Sequence, residues 1–215
     1  MIKLVLFDMD GVLVDACEAH RQTFRQACAD YGQMFTAEYE RELEGRPTRT
    51  KLAMLGIDRS LAETIQRRKQ ELTLARARTY RPEPERADLL RALRTAGVGT
   101  ACVTNSIRET SVAFLSSAGL FEHLDDLVTN EDVERAKPDP QGYLRATARA
   151  RVTATPNETL VLEDSPVGLS AAYASGAKVL PVQFDLLTQQ IPFLKFVLTG
   201  GNDVRSDFGV GRRRW

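Results

Sequence analysis

The feature that most restricts the fold of this chain is an alternation: short apolar runs, each ending in polar residues, separated by segments with helical spacing. Parallel strands covered on both faces look like this, because neither side of the strand meets water. Four such runs span residues 2–7, 98–103, 160–162 and 179–182, and a weaker one spans 127–129. Between them, Leu89, Leu90 and Leu93 form a stripe that stops at Gly97, and Ile107, Phe114, Leu115 and Ala118 form another that stops at Gly119. Apolar stripes that end at a glycine mark helices and their C-termini. The alternation predicts an α/β fold, a Rossmann-like doubly wound parallel sheet.

The stretch 17–80 interrupts the rhythm with four helix-like segments and no convincing strand. It reads as an all-helical insertion. Residues 1–15 and 81–200 then form the core, and 16–80 form the inserted helical domain. The first inserted helix carries His20, Phe24, Ala27, Cys28 and Tyr31 on one face and stops at Gly32, and Ser60 with Glu63 has capping-box spacing before the last helix. After Val182 the pattern weakens. Residues 201–215, rich in Gly, Asp and Arg and ending near Arg212, Arg213 and Arg214, read as a flexible tail.

Composition narrows the class of function. Lys and Arg together match Asp and Glu at 29 each, which argues against nucleic acid or a membrane surface as partner. The N-terminus enters an apolar strand with no leader pattern, and the best candidate span, 191–198, is short and contains Lys195, far from the roughly 18 apolar residues a membrane helix needs. Cys17, Cys28 and Cys102 lack metal-ligand spacing and read as buried thiols in a reducing cytoplasm. No long apolar surface stripe is evident, so a monomer is expected.

In parallel sheets ligands bind beyond the carboxyl ends of the strands, so the residues there are taken together. Strand one ends in Asp8-Met9-Asp10-Gly11, strand two in Thr104-Asn105-Ser106, and strand four in Glu163-Asp164-Ser165, while Lys137-Pro138 precedes a helix. Acidic groups from separate strands with one lysine suit a hard cation and a phosphate dianion. If the loop turns after Asp8, using the freedom of Gly11, one carboxylate can be a nucleophile and the other a general acid or base. Two such carboxylates repel, so a divalent cation is expected to hold the nucleophile ionised, and magnesium suits oxygen ligands. Ser165 and Pro166 also read as an N-cap and first helical residue.

These residues also fall into four ordered motifs. FDMDGVLVD, VTNS, KPDP and LEDSPVG resemble, in order and spacing, the four motifs of haloacid-dehalogenase-like phosphatases. The resemblance implies that Asp8 is the nucleophile, that Asp10 protonates the leaving group, and that Thr104 donates to the transferring phosphoryl group. It implies that Lys137 bridges nucleophile and phosphate. Magnesium would be held by Asp8, the Asp10 carbonyl and Asp164, with Glu163 beside it or through water.

The insertion resembles the small helical cap of the subgroup that contains phosphoglycolate phosphatases, sugar-phosphate phosphatases and β-phosphoglucomutases. By that resemblance His20 is a cap-hinge histidine, Gly45 to Arg49 a substrate-specificity loop, and Lys69 a cap lysine; Asn105, His20, Gly45, Arg46, Arg49 and Lys69 become candidate substrate contacts. Read from the residues alone, His20 is equally a packed helix-face histidine, Arg46 and Arg49 are solvated arginines, and Arg67, Arg68 and Lys69 are one charged face. β-Phosphoglucomutase-like sequences have Thr where this chain has Ala16, and dehalogenases lack the second acidic residue that Asp10 supplies. The resemblance therefore favours hydrolysis of a small phosphate ester, a sugar phosphate or phosphoglycolate, with a β-phosphoglucomutase-like phosphomutase as the alternative.

Overall fold

The structure is a computed structural model that describes residues 1–34, 36–43 and 45–200. The expected tail and its Arg212 to Arg214 run lie outside the described residues. A five-stranded sheet of β1 (Leu4–Phe7), β2 (Gly99–Val103), β3 (Asp126–Val128), β4 (Thr159–Glu163) and β5 (Lys178–Pro181) is parallel throughout, in the order β3-β2-β1-β4-β5. The α/β expectation holds. β1 occupies the centre, paired from Leu4 to Phe7 with both β2 and β4, so its C-terminal end is where neighbouring strand ends converge.

Period-two alternation sorts the strand side chains. Val5 and Phe7 point into a core built with Leu89, Leu90 and Leu93 of α5 (Pro84–Thr95) and Phe114 of α6 (Arg108–Ser117). Leu4 and Leu6 pack on the other face against Tyr143 and Ala146 of α7 (Gln141–Arg149) and Ala171 and Ala172 of α8 (Pro166–Ala174). Both faces are covered, which is why the strands read as unbroken apolar runs.

The insertion is helical as expected: α1 (Cys17–Ala29), α2 (Ala37–Leu43), α3 (Thr48–Met54) and α4 (Arg59–Ala77). It has a small core of its own, in which Phe24, Ala27, Cys28, Leu43, Leu52 and Ile65 are buried. Two local readings change. Tyr31 lies just beyond Asp30, the C-cap of α1, and is exposed. α4 is capped by Asp58, whose carboxylate accepts from the amides of Ser60 and Leu61 at 3.0 and 3.1 Å, while Glu63 pairs with Arg59 instead of closing a box. Cys17 is only half-buried, unlike Cys28 and Cys102.

The weak pattern after Val182 hides a helix, α9 (Phe184–Leu198). Leu187, Ile191, Leu194 and Leu198 form its buried stripe, but Leu186, Phe193, Phe196 and Val197 are exposed and blur the period. Arg86 of α5, 1% exposed, pins this helix: it donates to the Phe184 carbonyl and the Thr188 hydroxyl, stacks on the Phe184 ring, and donates at 2.7 Å to the carbonyl of Val12. That last bond fixes the turn just after Asp10. Among the described residues, no helix is long and apolar enough to cross a membrane.

Candidate active site

The backbone of Asp8 continues β1 by one residue, its amide donating to the Leu162 carbonyl at 3.0 Å. Its carboxylate meets the Lys137 ammonium at 2.5 Å, and the same ammonium donates at 2.8 Å to Glu163 and at 2.8 Å to the Val103 carbonyl. Lys137 therefore spends its three donors on the ends of three different strands or their extensions. It enters this position ahead of Pro138 through a cis peptide, and Asn105 grips it on both sides, accepting from the Lys137 amide and donating to its carbonyl. Burial alone would lower Lys137; Asp8 and Glu163 outweigh it and hold the ammonium well above the ordinary lysine range.

Glu163 is fully enclosed and fully engaged. One oxygen accepts from Lys137 and from the Tyr143 hydroxyl at 2.6 Å; the other accepts from the amides of Asp164 and Ser165. The first turn of α8 rests on it, and a Cβ at Gly168 would sit 1.8 Å from the carboxylate, so glycine is required there. Ser165 caps that helix as expected, accepting from the Gly168 amide at 3.0 Å, with Pro166 as its first residue.

Asp164 is different. One of its oxygens is buried without a hydrogen-bond partner, and burial, then Glu163 and Asp10, push the carboxyl up to about 7. A Cβ on Gly11, whose φ is +87°, would lie 2.0 Å from Asp164, so this glycine serves both the left-handed turn and the close approach. Asp8 is likewise raised well above the carboxylate range, by burial first and then Glu163, with Lys137 opposing. Oxygens of Asp8, Glu163 and Asp164 lie within 4.8 Å of one another. Three carboxylates against one lysine, one of them with an orphaned buried oxygen, form a donor set that fits a divalent cation. With both its oxygens taken, Glu163 is better suited to holding the other two in place than to direct ligation.

Asp10 is backed by the insertion. Burial would raise it, but His20, with Lys69 behind, outweighs burial and lowers it. The Nε2 atom of His20 is 3.2 Å from Asp10, its Nδ1 is 3.0 Å from the Lys69 ammonium, and its ring packs on Phe114. Since an ammonium can only donate, Nδ1 is the acceptor and Nε2 carries the proton that faces Asp10. Burial, partly opposed by Asp10, keeps this histidine below its usual value. His20 is thus packed against Phe114 and at the same time faces Asp10. Ser106 donates to the other oxygen of Asp10 at 3.3 Å, and the Thr104 hydroxyl accepts from the Ser106 amide.

These groups line one cavity of about 300 Å³. Its floor is the strand ends; its roof comes from α1, α3, α4 and the loop at Gly45, including Arg46, Arg49, Lys51 and Lys69. Asn105 bridges the two, donating at 2.8 Å to the Gly45 carbonyl. Of the twelve residues expected to contact substrate, hold the metal or take part in the chemistry, eleven border this space; the twelfth, Glu163, lies beneath it. Lys69 leaves the charged face: Arg68 pairs outward with Asp30 and Glu71, whereas Lys69 turns in to His20.

The haloacid dehalogenase-like hydrolase family matches residues 5–182. The chain belongs to that family. It is 31% identical, over 82% of its own length and 83% of the other, to the validoxylamine A 7'-phosphate phosphatase of Streptomyces hygroscopicus subsp. limoneus. A plasmid phosphoglycolate phosphatase of Cupriavidus necator is 30% identical over 84% and 80% of the two chains. Among solved structures, a mutant of CbbY from Rhodobacter sphaeroides in complex with xylulose-(1,5)bisphosphate superposes with a TM-score of 0.73 at 26% identity, over 86% and 88% of the chains.

Family motifs account for the floor of this haloacid dehalogenase-like site but not for all of it. Tyr143 looks in sequence like a helix-core aromatic, and nothing local marks the hydroxyl that holds Glu163. Ser106 stands inside the VTNS motif and could have been read as a partner of Asp10. Lys51, two residues beyond Arg49, carries no motif signal. The amide of Asn105, assigned above to substrate, is already occupied by Lys137 and Gly45.

Proposed function

We propose that this haloacid dehalogenase-like enzyme is a magnesium-dependent phosphomonoester hydrolase of small phosphorylated metabolites, working through an aspartyl phosphate on Asp8. The carrying observation is the Asp8 carboxylate, held between Lys137 and Asp164 at the cavity floor with Asp10 beside it. Relatives named as a validoxylamine A 7'-phosphate phosphatase and a phosphoglycolate phosphatase support the substrate class.

In this reading an Asp8 oxygen attacks phosphorus, the bond to the ester oxygen breaks, and Asp10 delivers a proton to that oxygen. A dianionic ester beside Asp10 favours its protonated form by charge repulsion. Once the alcohol leaves, Asp10 is a carboxylate again, the form His20 favours, and takes a proton from the water that hydrolyses the acyl phosphate. Lys137 offsets charge on Asp8 and on the phosphoryl oxygens, and Thr104 with its neighbouring amides faces the same group. Magnesium, when bound, would sit on Asp8, Asp164 and the Asp10 carbonyl, and would supply charge neutralisation for the phosphoryl group. The cap over the cavity limits bulk water.

The test is phosphate release from a panel of phosphomonoesters with magnesium, scored by kcat/KM. Formation of glucose 6-phosphate from β-glucose 1-phosphate faster than free phosphate would replace hydrolysis with the phosphomutase reading; the absence of a hydroxyl at Ala16 favours hydrolysis.

A further inference from the structure

Arg86 does not line the cavity, yet it is tied to the turn that carries Asp10. Its guanidinium, 1% exposed, donates to the Val12 carbonyl at 2.7 Å, the Phe184 carbonyl at 2.9 Å, the Thr188 hydroxyl at 3.0 Å and Glu83 at 3.3 Å. Glu83 is itself buried and accepts from the Tyr80 hydroxyl at 2.9 Å, and that hydroxyl accepts from the Asp15 amide at 2.6 Å. The turn is thus anchored at two points, Val12 and Asp15. Both anchors come from residues 80–86, where the chain has returned from α4 and enters α5, whereas Asp15 is where it leaves the core for α1.

Inside the turn, the chain closes on itself. The amides of Leu13 and Val14 both donate to the Met9 carbonyl at 3.0 Å, the Gly11 amide donates to the Val14 carbonyl at 2.7 Å, and Asp10 bridges to Val14. These bonds fix the shape of the turn, and the bonds from Arg86 and Tyr80 fix where it sits against the core. Stability alone is a poor reason for such an arginine, because burying a guanidinium is costly and a well-packed apolar side chain of similar volume often serves as well. An apolar side chain could not grip a carbonyl on one element and a helix on another at set angles; a planar fork of donors can. The fork is itself held firmly, with its carbon 3.6 Å from the centre of the Phe184 ring of α9. The Tyr80 ring meets Phe114 edge-on, and Phe114 carries His20, so the anchor of the turn and the partner of the Asp10 side chain rest on one aromatic base.

From this placement we infer that Arg86 is a positioning residue for Asp10: through Val12 it sets the point from which Asp10 hands its proton to the leaving oxygen, while Tyr80 secures the far end of the same turn at Asp15. The inference rests on the proposed role of Asp10 as general acid and deepens it. As the bond from phosphorus to the ester oxygen breaks, that oxygen keeps the electron pair and takes the proton of Asp10, a transfer that requires the two oxygens within hydrogen-bond reach. A displacement of about 1 Å in such a group costs on the order of a hundredfold in rate. His20 and Ser106 direct the Asp10 side chain at 3.2 and 3.3 Å, but they can aim it correctly only if its backbone is held in place.

The test compares kcat/KM for phenyl phosphate and 4-nitrophenyl phosphate at saturating magnesium, since this ratio reports the steps up to departure of the leaving group. The two esters have nearly the same shape, but phenolate is a poor leaving group that needs the proton and 4-nitrophenolate leaves readily without it. Arg86→Met is expected to lower the value for phenyl phosphate roughly tenfold to a hundredfold and that for 4-nitrophenyl phosphate by no more than about threefold. A purely structural role would lower both alike, because it changes only the amount of folded enzyme. Tyr80→Phe keeps the ring, spares the fold, and is expected to show the same split on a smaller scale, about three- to tenfold for phenyl phosphate. Arg91→Gln removes the same charge from the exposed face of α5 and is expected to change neither value. Asp10→Asn, measured alongside, is expected to show the full split. Equal losses on the two esters in both Arg86→Met and Tyr80→Phe, or no loss in either, while Asp10→Asn retains the split, would overturn the inference alone. Absence of the split in Asp10→Asn would overturn the acid role of Asp10, and the inference with it.

Discussion

The floor and the roof of the cavity are built by opposite strategies. At the floor, Asp8, Lys137, Glu163 and Tyr143 are buried and interlocked, each polar atom answering another across strands that the core holds rigid. At the roof, Arg46 and Arg49 stand on a loop and a short helix, more open to solvent and with few fixed partners. Rigid, mutually satisfied groups suit chemistry that is the same for every substrate. Looser cationic groups on an inserted domain suit recognition, which can change without disturbing the floor.

The sharpest way to break this contrast is at the nucleophile. Asp8→Asn is expected to lower kcat roughly 10⁴-fold or more while circular dichroism and thermal midpoint stay near those of the parent, because shape is kept and nucleophilicity is lost. Undiminished phosphate release would remove Asp8 from the mechanism. Lys137→Met tests interlocking itself: it leaves Asp8 and Glu163 buried without their cation, and is expected to reduce folding stability by about 3–5 kcal/mol in denaturant titrations. A roof arginine such as Arg49 has no comparable structural role, so Arg49→Gln is expected to change stability by no more than about 0.5 kcal/mol.

A third test uses pH. Asp164 is raised from 3.8 to about 7, so the folded state holds its proton more tightly than the unfolded chain does. Its contribution to stability is complete below about pH 4 and is lost as pH rises through about 7. A divalent cation reverses the sign, since it favours the carboxylate. Stabilisation by magnesium, read as a shift in thermal midpoint, is therefore expected to grow with pH across that window, and to lose most of this dependence in Asp164→Asn.

An effect on turnover smaller than that at the nucleophile is expected at the bridge between the two walls. Asn105→Ala removes the bond to the Gly45 carbonyl and two bonds to Lys137. Each is worth about 1 kcal/mol, and loss of the bridge is expected to lower kcat/KM roughly tenfold. A fall in kcat would report Lys137 drifting; a rise in KM alone would report a looser roof.

Much of the floor was legible in the sequence because it depends on local patterns. Each apolar run ends in its chemical residue, parallel strands bring those ends together, and the spacing of Asp8, Asp10 and Gly11 needs no distant information. Helix α9 was harder to read, since its exposed Phe193 and Phe196 conceal the stripe at Leu187, Ile191, Leu194 and Leu198. The Ser60–Glu63 box failed for a related reason: Asp58, two residues earlier, accepts from the Ser60 amide that Glu63 would have to take, and from the Leu61 amide as well.

What the sequence by itself determined is the parallel sheet, the helical insertion and the set of groups at the strand ends, all consequences of periodicity and of residues adjacent in the chain. Only the tertiary structure decided how those groups divide their work. Tyr143 and Lys137 saturate Glu163, and Gly11 brings Asp164 close while one of its oxygens stays unsatisfied. Lys69, 49 positions from His20, is the group that fixes which nitrogen faces Asp10. Such pairings depend on long-range contacts whose partners are chosen by packing, and no local spacing encodes them.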